Sequence, residues 1–316
     1  GKIRALGNHE DGPGGRERGF AAGYCSREHD SVANTRGRCR AQFNSFDAES
    51  ELSVPQKLAR TLAVTNQKGG VGKTTTAVNL AASLAASGQR VLLIDLDPQG
   101  NATMGSGVEK RGLTATVYHL LLGTKTLAEV LRRAEAGQYD ILPANRDLAG
   151  AEVELVEVED REIRLKAALH PVLPDYDFIL IDCPPALSLL TLNGLCAARS
   201  VMIPMQCEYY ALEGLSDLVN TVRRVRASFN PNLEIEGLLR TMFDPRNSLA
   251  QQVSDQLQQH FGNKVYRTVI PRNIRLAEAP SYGKPVLYHD SASKGAQAYQ
   301  ALAEEILQAA RQPEMA

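Results

Sequence analysis

The chain has 316 residues, with 35 Lys+Arg against 36 Asp+Glu and a net charge of −1. That length can bury a sizeable core, and the charge balance excludes a globally basic nucleic-acid coat or a long acidic tail while leaving a local basic patch open. Five cysteines without a C-x-x-C pair argue against a disulfide scaffold or zinc ribbon, and no apolar run reaches the length of a membrane span.

Residues 1–53 carry only Ile3, Leu6, Phe20, Val32, Phe43, Phe46 and Leu52 from the large aliphatic set and Phe, beside eight glycines. So little apolar surface does not offset the entropy of ordering a chain, and no helical or strand period recurs. Residues 1–57 are therefore expected to be a disordered or non-native extension. The working domain is expected over 58–316, starting between about Glu51 and Leu62. Arg36, Arg38 and Arg40 read as a solvated run, and Cys25 and Cys39 as free thiols. A polar, Gly-rich start lacks the apolar segment of a signal peptide, so a cytoplasmic location is expected.

From Thr61 the pattern changes. A β-prone run, Thr61–Thr65, leads into Asn66-Gln-Lys-Gly-Gly-Val-Gly-Lys-Thr-Thr-Thr76, and then Ala77, Leu80, Ala81, Leu84 and Ala85 mark a helix. Strand, Gly-rich turn and helix form the setting of a phosphate loop: backbone amides curl round one phosphate and the helix start adds its positive end. Gly69, Gly70, Val71, Gly72, Lys73, Thr74 and Thr75 are the expected cradle. Lys73 supplies charge at the β/γ-phosphates and Thr74 a hydroxyl ligand for Mg²⁺. The ordinary G-x-x-x-x-G-K-[ST] pattern is broken, because Gln67 stands at its first glycine and a second lysine, Lys68, enters the loop.

Two further apolar strands, Val91–Asp95 and Phe178–Asp182, each end on a carboxylate, which is costly inside a core unless it meets a cation or a donor. Asp182 is placed as the magnesium acid and Asp97 as the group that orients the attacking water. Asp95 is placed either with the metal or as a buried cap of the next turn. Strands are expected near 61–66, 91–96, 139–143, 177–182, 200–205 and 235–242. A long acidic helix is expected over Leu148–Leu169, and a final helix, Ala292–Ala310, is expected to pack Tyr299, Leu302, Ile306 and Leu307 on the sheet. The fold class is α/β, a doubly wound and mostly parallel sheet flanked by helices.

Together these segments resemble the ParA/Soj family of deviant-Walker partition ATPases, on the residues Lys68–Thr75, Asp95-Leu-Asp-Pro-Gln-Gly-Asn101, Leu142-Pro-Ala-Asn-Arg-Asp147, Asp182-Cys-Pro-Pro185, Tyr209-Tyr-Ala-Leu-Glu-Gly214, Thr241-Met-Phe-Asp244 and Ile270–Pro280. The resemblance implies a P-loop NTPase of the deviant Walker A type with ATP and Mg²⁺ as cofactors. It implies an ATP-dependent sandwich homodimer in which Lys68 reaches the partner's nucleotide, and an adenine site near Phe243, Asp244, Pro271 and Asn273. It also implies non-specific binding of double-stranded DNA, which places the protein on the nucleoid when ATP-bound, and a ParB-like centromere-binding partner that stimulates hydrolysis. DNA contacts are expected from Arg223 and Arg226, three apart on one helix, with Arg240, Arg272 and Arg275. Residues 1–60 are too poor in apolar residues for the DNA-reading helices that plasmid members carry. The rivals are a MinD-like membrane ATPase, an ATP-dependent metabolic enzyme on the same fold, and an iron–sulfur carrier. Against these stand an alanine-rich final helix with Glu304 and Glu305, no separate acceptor cluster, and isolated cysteines at 183, 196 and 207.

Overall fold

The computed structural model describes residues 58–311. The segment 1–57 with its arginine run and two cysteines lies outside them. Eight strands, β1 (Arg60–Val64), β2 (Val91–Asp95), β3 (Arg132–Ala134), β4 (Tyr139–Leu142), β5 (Phe178–Asp182), β6 (Ser200–Met205), β7 (Glu234–Phe243) and β8 (Val265–Pro271), form one sheet. Their order is β3-β4-β2-β5-β1-β6-β7-β8, parallel except where β3 runs against β4.

The apolar runs are near-continuous because both faces of the sheet are buried. Successive residues divide between two cores. Leu62, Val64, Leu93, Leu180 and Met202 face the helices Lys73–Ala86 and Lys294–Arg311. Ala63, Leu92, Ile94, Ile179, Ile181 and Val201 face Leu189–Ala197, Ala211–Ser228 and Ser248–Phe261. Each fully buried aliphatic side chain contributes about 1.5–3 kcal/mol of transfer free energy. The final helix meets its expectation, with Tyr299, Leu302 and Ile306 buried.

Two strands escaped the sequence pattern. β3 is a three-residue edge with two arginines, too short to show alternation, and β8 is an edge strand ending at Pro271. The free edge of β8 is closed by a carboxylate: the amides of Arg267 and Thr268 donate to Glu305, at 2.8 and 2.9 Å. The helix expected over Leu148–Leu169 is also corrected. It splits into Leu148–Glu154, the 3-10 turn Leu155–Glu157 and Arg164–Leu169. Crowded acidic side chains disfavour a continuous helix there, and Asp160 adopts a left-handed φ of +55° that Asp tolerates better than most residues.

The register places the site. Val64 and Asp95 both pair with Asp182, so β1, β5 and β2 end at one level and deliver the loop after β1 beside both carboxylates. Ligands of open α/β sheets bind beyond such carboxyl ends.

A candidate nucleotide site at the carboxyl ends of the central strands

The loop after β1 is anchored before it turns. The Asn66 side-chain amide donates to the Pro204 carbonyl at 2.8 Å, while Asn66 Oδ1 accepts from the Lys68 amide at 3.0 Å. Gly70 and Gly72 then take φ of +73° and +89°, conformations that side-chain-bearing residues avoid. This tight turn starts the helix Lys73–Ala86, whose first amides have no acceptor within the helix. Thr241 Oγ1 donates to the Val71 carbonyl at 2.7 Å and ties the loop to β7.

Above the loop lies a cavity of about 430 Å³. Gly69, Gly70, Gly72, Lys73, Thr74, Thr75, Asp97, Pro271, Arg272 and Asn273 line it, together with Asn101, Pro185, Thr241, Met242, Ile270 and Tyr299. Lys73 is buried, and its ammonium donates to the Lys68 carbonyl at 3.1 Å. Burial pulls its pKa down, opposed by the charges of Asp182 and Asp97. Asp182 is fully buried and neither carboxylate oxygen has a well-formed hydrogen bond. Burial and the neighbouring Asp95 push its pKa well up, and the nearby Thr74 hydroxyl only partly counters this.

An orphaned buried carboxylate beside a threonine hydroxyl fits a divalent cation better than it fits an empty core. Among the described residues, no group of three His, Cys, Asp or Glu could hold a metal alone. That suits magnesium, which is commonly held by one or two protein ligands plus substrate phosphates.

Asp95 is different. Its Oδ2 accepts from the Thr103 amide (2.8 Å) and hydroxyl (2.7 Å), and its Oδ1 from the Asp97 amide (3.1 Å). Both oxygens accept hydrogen bonds that position the next segment, the arrangement of a buried cap. Burial still pushes its carboxyl up to about 6. Asp97 is half-buried at the cavity wall, where its Oδ1 accepts from the Gln99 amide at 2.9 Å. Gly100 makes this turn possible. Its φ is +62°, and a Cβ would sit 2.7 Å from the Ala144 carbonyl oxygen.

Other expected residues fall elsewhere. Val71 is buried and contributes its carbonyl, not its side chain. Phe243 and Asp244 are not among the cavity residues. Phe243 lies 5.9 Å from the Arg240 guanidinium, and Asp244 pairs with Arg246 at 2.8 Å. Thr241 and Met242 line the wall instead, because Met242 takes a φ of +48° at an irregular stretch of the β7–β8 pairing and re-aims the chain. Arg240 is corrected as a DNA contact: it is 9% exposed and donates to Ser254 and to the Tyr266 and Arg267 carbonyls. Arg275 is exposed but paired with Glu278 (2.8 Å) and Asp290 (3.2 Å), which cancels its charge. Arg223 and Arg226 are exposed on the helix Ala211–Ser228, outside the buried stripe of Leu215, Leu218, Val222 and Val225. Cys183, Cys196 and Cys207 are buried thiols.

A family model described as an AAA domain matches residues 59–235, more than half the chain. The chain is similar to the chromosome-partitioning ATPase Soj of Thermus thermophilus, with 54% identity over 251 residues, 78% of this chain and 95% of that protein. The chromosome partitioning protein ParA of Myxococcus xanthus matches at 51% over 250 residues, 79% of this chain and 88% of its own length. The chain belongs to the ParA/Soj family. An uncharacterized protein of Pseudomonas putida is 62% identical over 256 residues, 81% of this chain and 97% of its length. Among solved structures, cobyrinic acid a,c-diamide synthase from Mycobacterium smegmatis, with bound ADP and magnesium, is similar at 39% identity and a TM-score of 0.70, covering 79% of this chain and 95% of that one. This ParA/Soj member is accordingly an ATPase of the chromosome-partitioning type built on a P-loop α/β sheet. Among its described residues, no helix is long and apolar enough to cross a membrane.

Proposed function

We propose that the cavity binds ATP and that hydrolysis drives a cycle of DNA attachment for partitioning. The observation that carries this reading is the orphaned carboxylate of Asp182, buried beneath a phosphate-loop cavity beside Thr74 and Lys73. Gly69, Gly70, Gly72, Lys73, Thr74 and Thr75 hold the phosphates. Thr74 and Asp182 hold magnesium, which, when bound, neutralises charge developing on the phosphates. Pro271 and Asn273, with Thr241 and Met242 replacing Phe243 and Asp244, surround the base. Asp97, at the cavity wall, accepts a hydrogen bond from the attacking water and orients it.

Lys68 does not line the cavity of its own protomer. This supports a role across a sandwich dimer, where it meets the partner's nucleotide as a cation delivered in trans. Arg223 and Arg226, repeated on two protomers, then offer a basic surface to DNA phosphates, with exposed Arg272 nearer the cavity. A ParB-like protein is the activator. The apolar face of the final helix is committed to the core, which disfavours a MinD-like membrane attachment through that face. The metabolic alternative draws on the 39% likeness to a synthase, against 54% and 51% to partitioning proteins.

The test is DNA retention without nucleotide, with ADP and with ATP. Retention is expected only with ATP and is expected to fall steeply as salt rises, because phosphate contacts release counterions. Equal retention in all three states, or ATP consumption only when a small-molecule acceptor is supplied, would overturn the reading. Asp97→Ala is expected to cut hydrolysis about 10²–10³-fold while leaving ATP-dependent dimers on DNA. A variant that stays monomeric with ATP in sedimentation would move the water-orienting role elsewhere.

A further inference from the structure

Lys68 is fixed at its backbone but not at its tip. Its amide is held by Asn66 and its carbonyl by Lys73, so the loop dictates where the side chain starts. The side chain runs away from the phosphate cavity to the carboxylate of Glu208, in the segment following β6. β6 lies beside β1 in the sheet, which brings the two loops together. Both side chains keep about half their surface in water, at 46% and 51%, so either can swing away without unpacking anything.

Glu208 also sits at a junction. Its carbonyl accepts from the Ala211 amide at 2.9 Å, at the entry to the helix Ala211–Ser228 that carries Arg223 and Arg226. Tyr209 and Tyr210 follow it directly, 74% and 71% exposed, with ring centroids 5.1 Å apart.

We infer that Glu208 is a positioning residue that parks Lys68 away from the phosphate site in the nucleotide-free protomer, so that phosphate charge must compete with this carboxylate before Lys68 is released. The inference rests on the proposed role of Lys68 in an ATP-bound dimer and adds the brake on that role. Exposed ion pairs are weak, so the brake is a modest one, about two- to fivefold per protomer. A weak latch is what a reversible switch requires, because a nucleotide carrying several negative charges overcomes it easily.

Two measurements on the full chain test this. A zero-length carbodiimide joins amines to carboxylates that are already in contact. The Lys68–Glu208 cross-linked peptide is expected in nucleotide-free protein and is expected to decline several-fold with AMPPNP and magnesium. In sedimentation, Glu208→Gln is expected to shift the midpoint of nucleotide-dependent dimerisation to about four- to 25-fold lower protein concentration, since both protomers lose the latch, with Glu208→Ala behaving alike. A cross-link that persists unchanged with AMPPNP, or an unaltered midpoint in both variants, would overturn the latch. Failure of the wild-type protein to dimerise would instead overturn the sandwich-dimer reading, and the cross-link would still decide whether nucleotide frees Lys68.

Discussion

Replacing Lys73 by alanine is expected to lower ATP and ADP affinity by about two to three orders of magnitude, the cost of deleting one partner from a buried charge contact. Lys73 is the cation that the loop buries at the cavity wall, and its ammonium spends one hydrogen bond on the Lys68 carbonyl. The fold is expected to survive. Burial pulls the Lys73 pKa down despite the nearby carboxylates, so the charged lysine is a net burden on the nucleotide-free protein. Its removal relieves that burial while taking a compensating charge from Asp182, and the larger loss is expected to fall on binding. Titration with a fluorescent nucleotide, beside a thermal melt, separates the two. Unchanged affinity would contradict the assignment of the phosphate loop, whereas a collapsed melt would assign Lys73 a structural role.

The parts of this site legible in the sequence were those where local chain chemistry decides the outcome. Gly70 and Gly72 specify left-handed turns, Lys73 and Thr74 open a helix, and the runs ending at Asp95 and Asp182 specify strands buried on both faces. What stayed hidden depends on distant pairing. Asp95 and Asp182 look equivalent as letters, yet Thr103, eight residues on from Asp95, satisfies only the first. Arg240 reads as a surface cation until Ser254 and the carbonyls of β8 close round it. Thr241 and Met242 line the cavity and Phe243 and Asp244 do not, because Met242 takes a left-handed φ where the β7–β8 pairing is irregular. No periodicity records such an angle. Glu208 carried no sequence signal as Lys68's partner, since the two lie 140 positions apart and meet only because β6 adjoins β1.

Asp182→Asn is expected to separate stability from function in opposite directions. In metal-free protein Asp182 and Asp95 are paired in register across β5 and β2, both fully buried, and only Asp95 is hydrogen-bonded. Removing one ionisable group from that pair is expected to stabilise the nucleotide-free fold by about 1–2 kcal/mol at pH 8, a rise of about 2–8 °C in Tm for a domain of this size. The sign follows from linkage. Both carboxyls are held above their unfolded values near 4, Asp95 at about 6 and Asp182 also raised, so the folded state binds more protons than the unfolded chain. The contribution of this pair is therefore full below about pH 4 and is lost as pH rises through 6 and beyond, and the variant is expected to flatten that part of the pH dependence. Hydrolysis is expected to fall about 10²–10³-fold, because the neutral amide no longer helps hold magnesium at the phosphates. Melts of wild type and variant at pH 5 and pH 8, with and without magnesium and ATP, check every part. A variant less stable than wild type at pH 8 would mean that the Asp182 charge is already compensated inside the protein, and the case for a cation bound there would go with it.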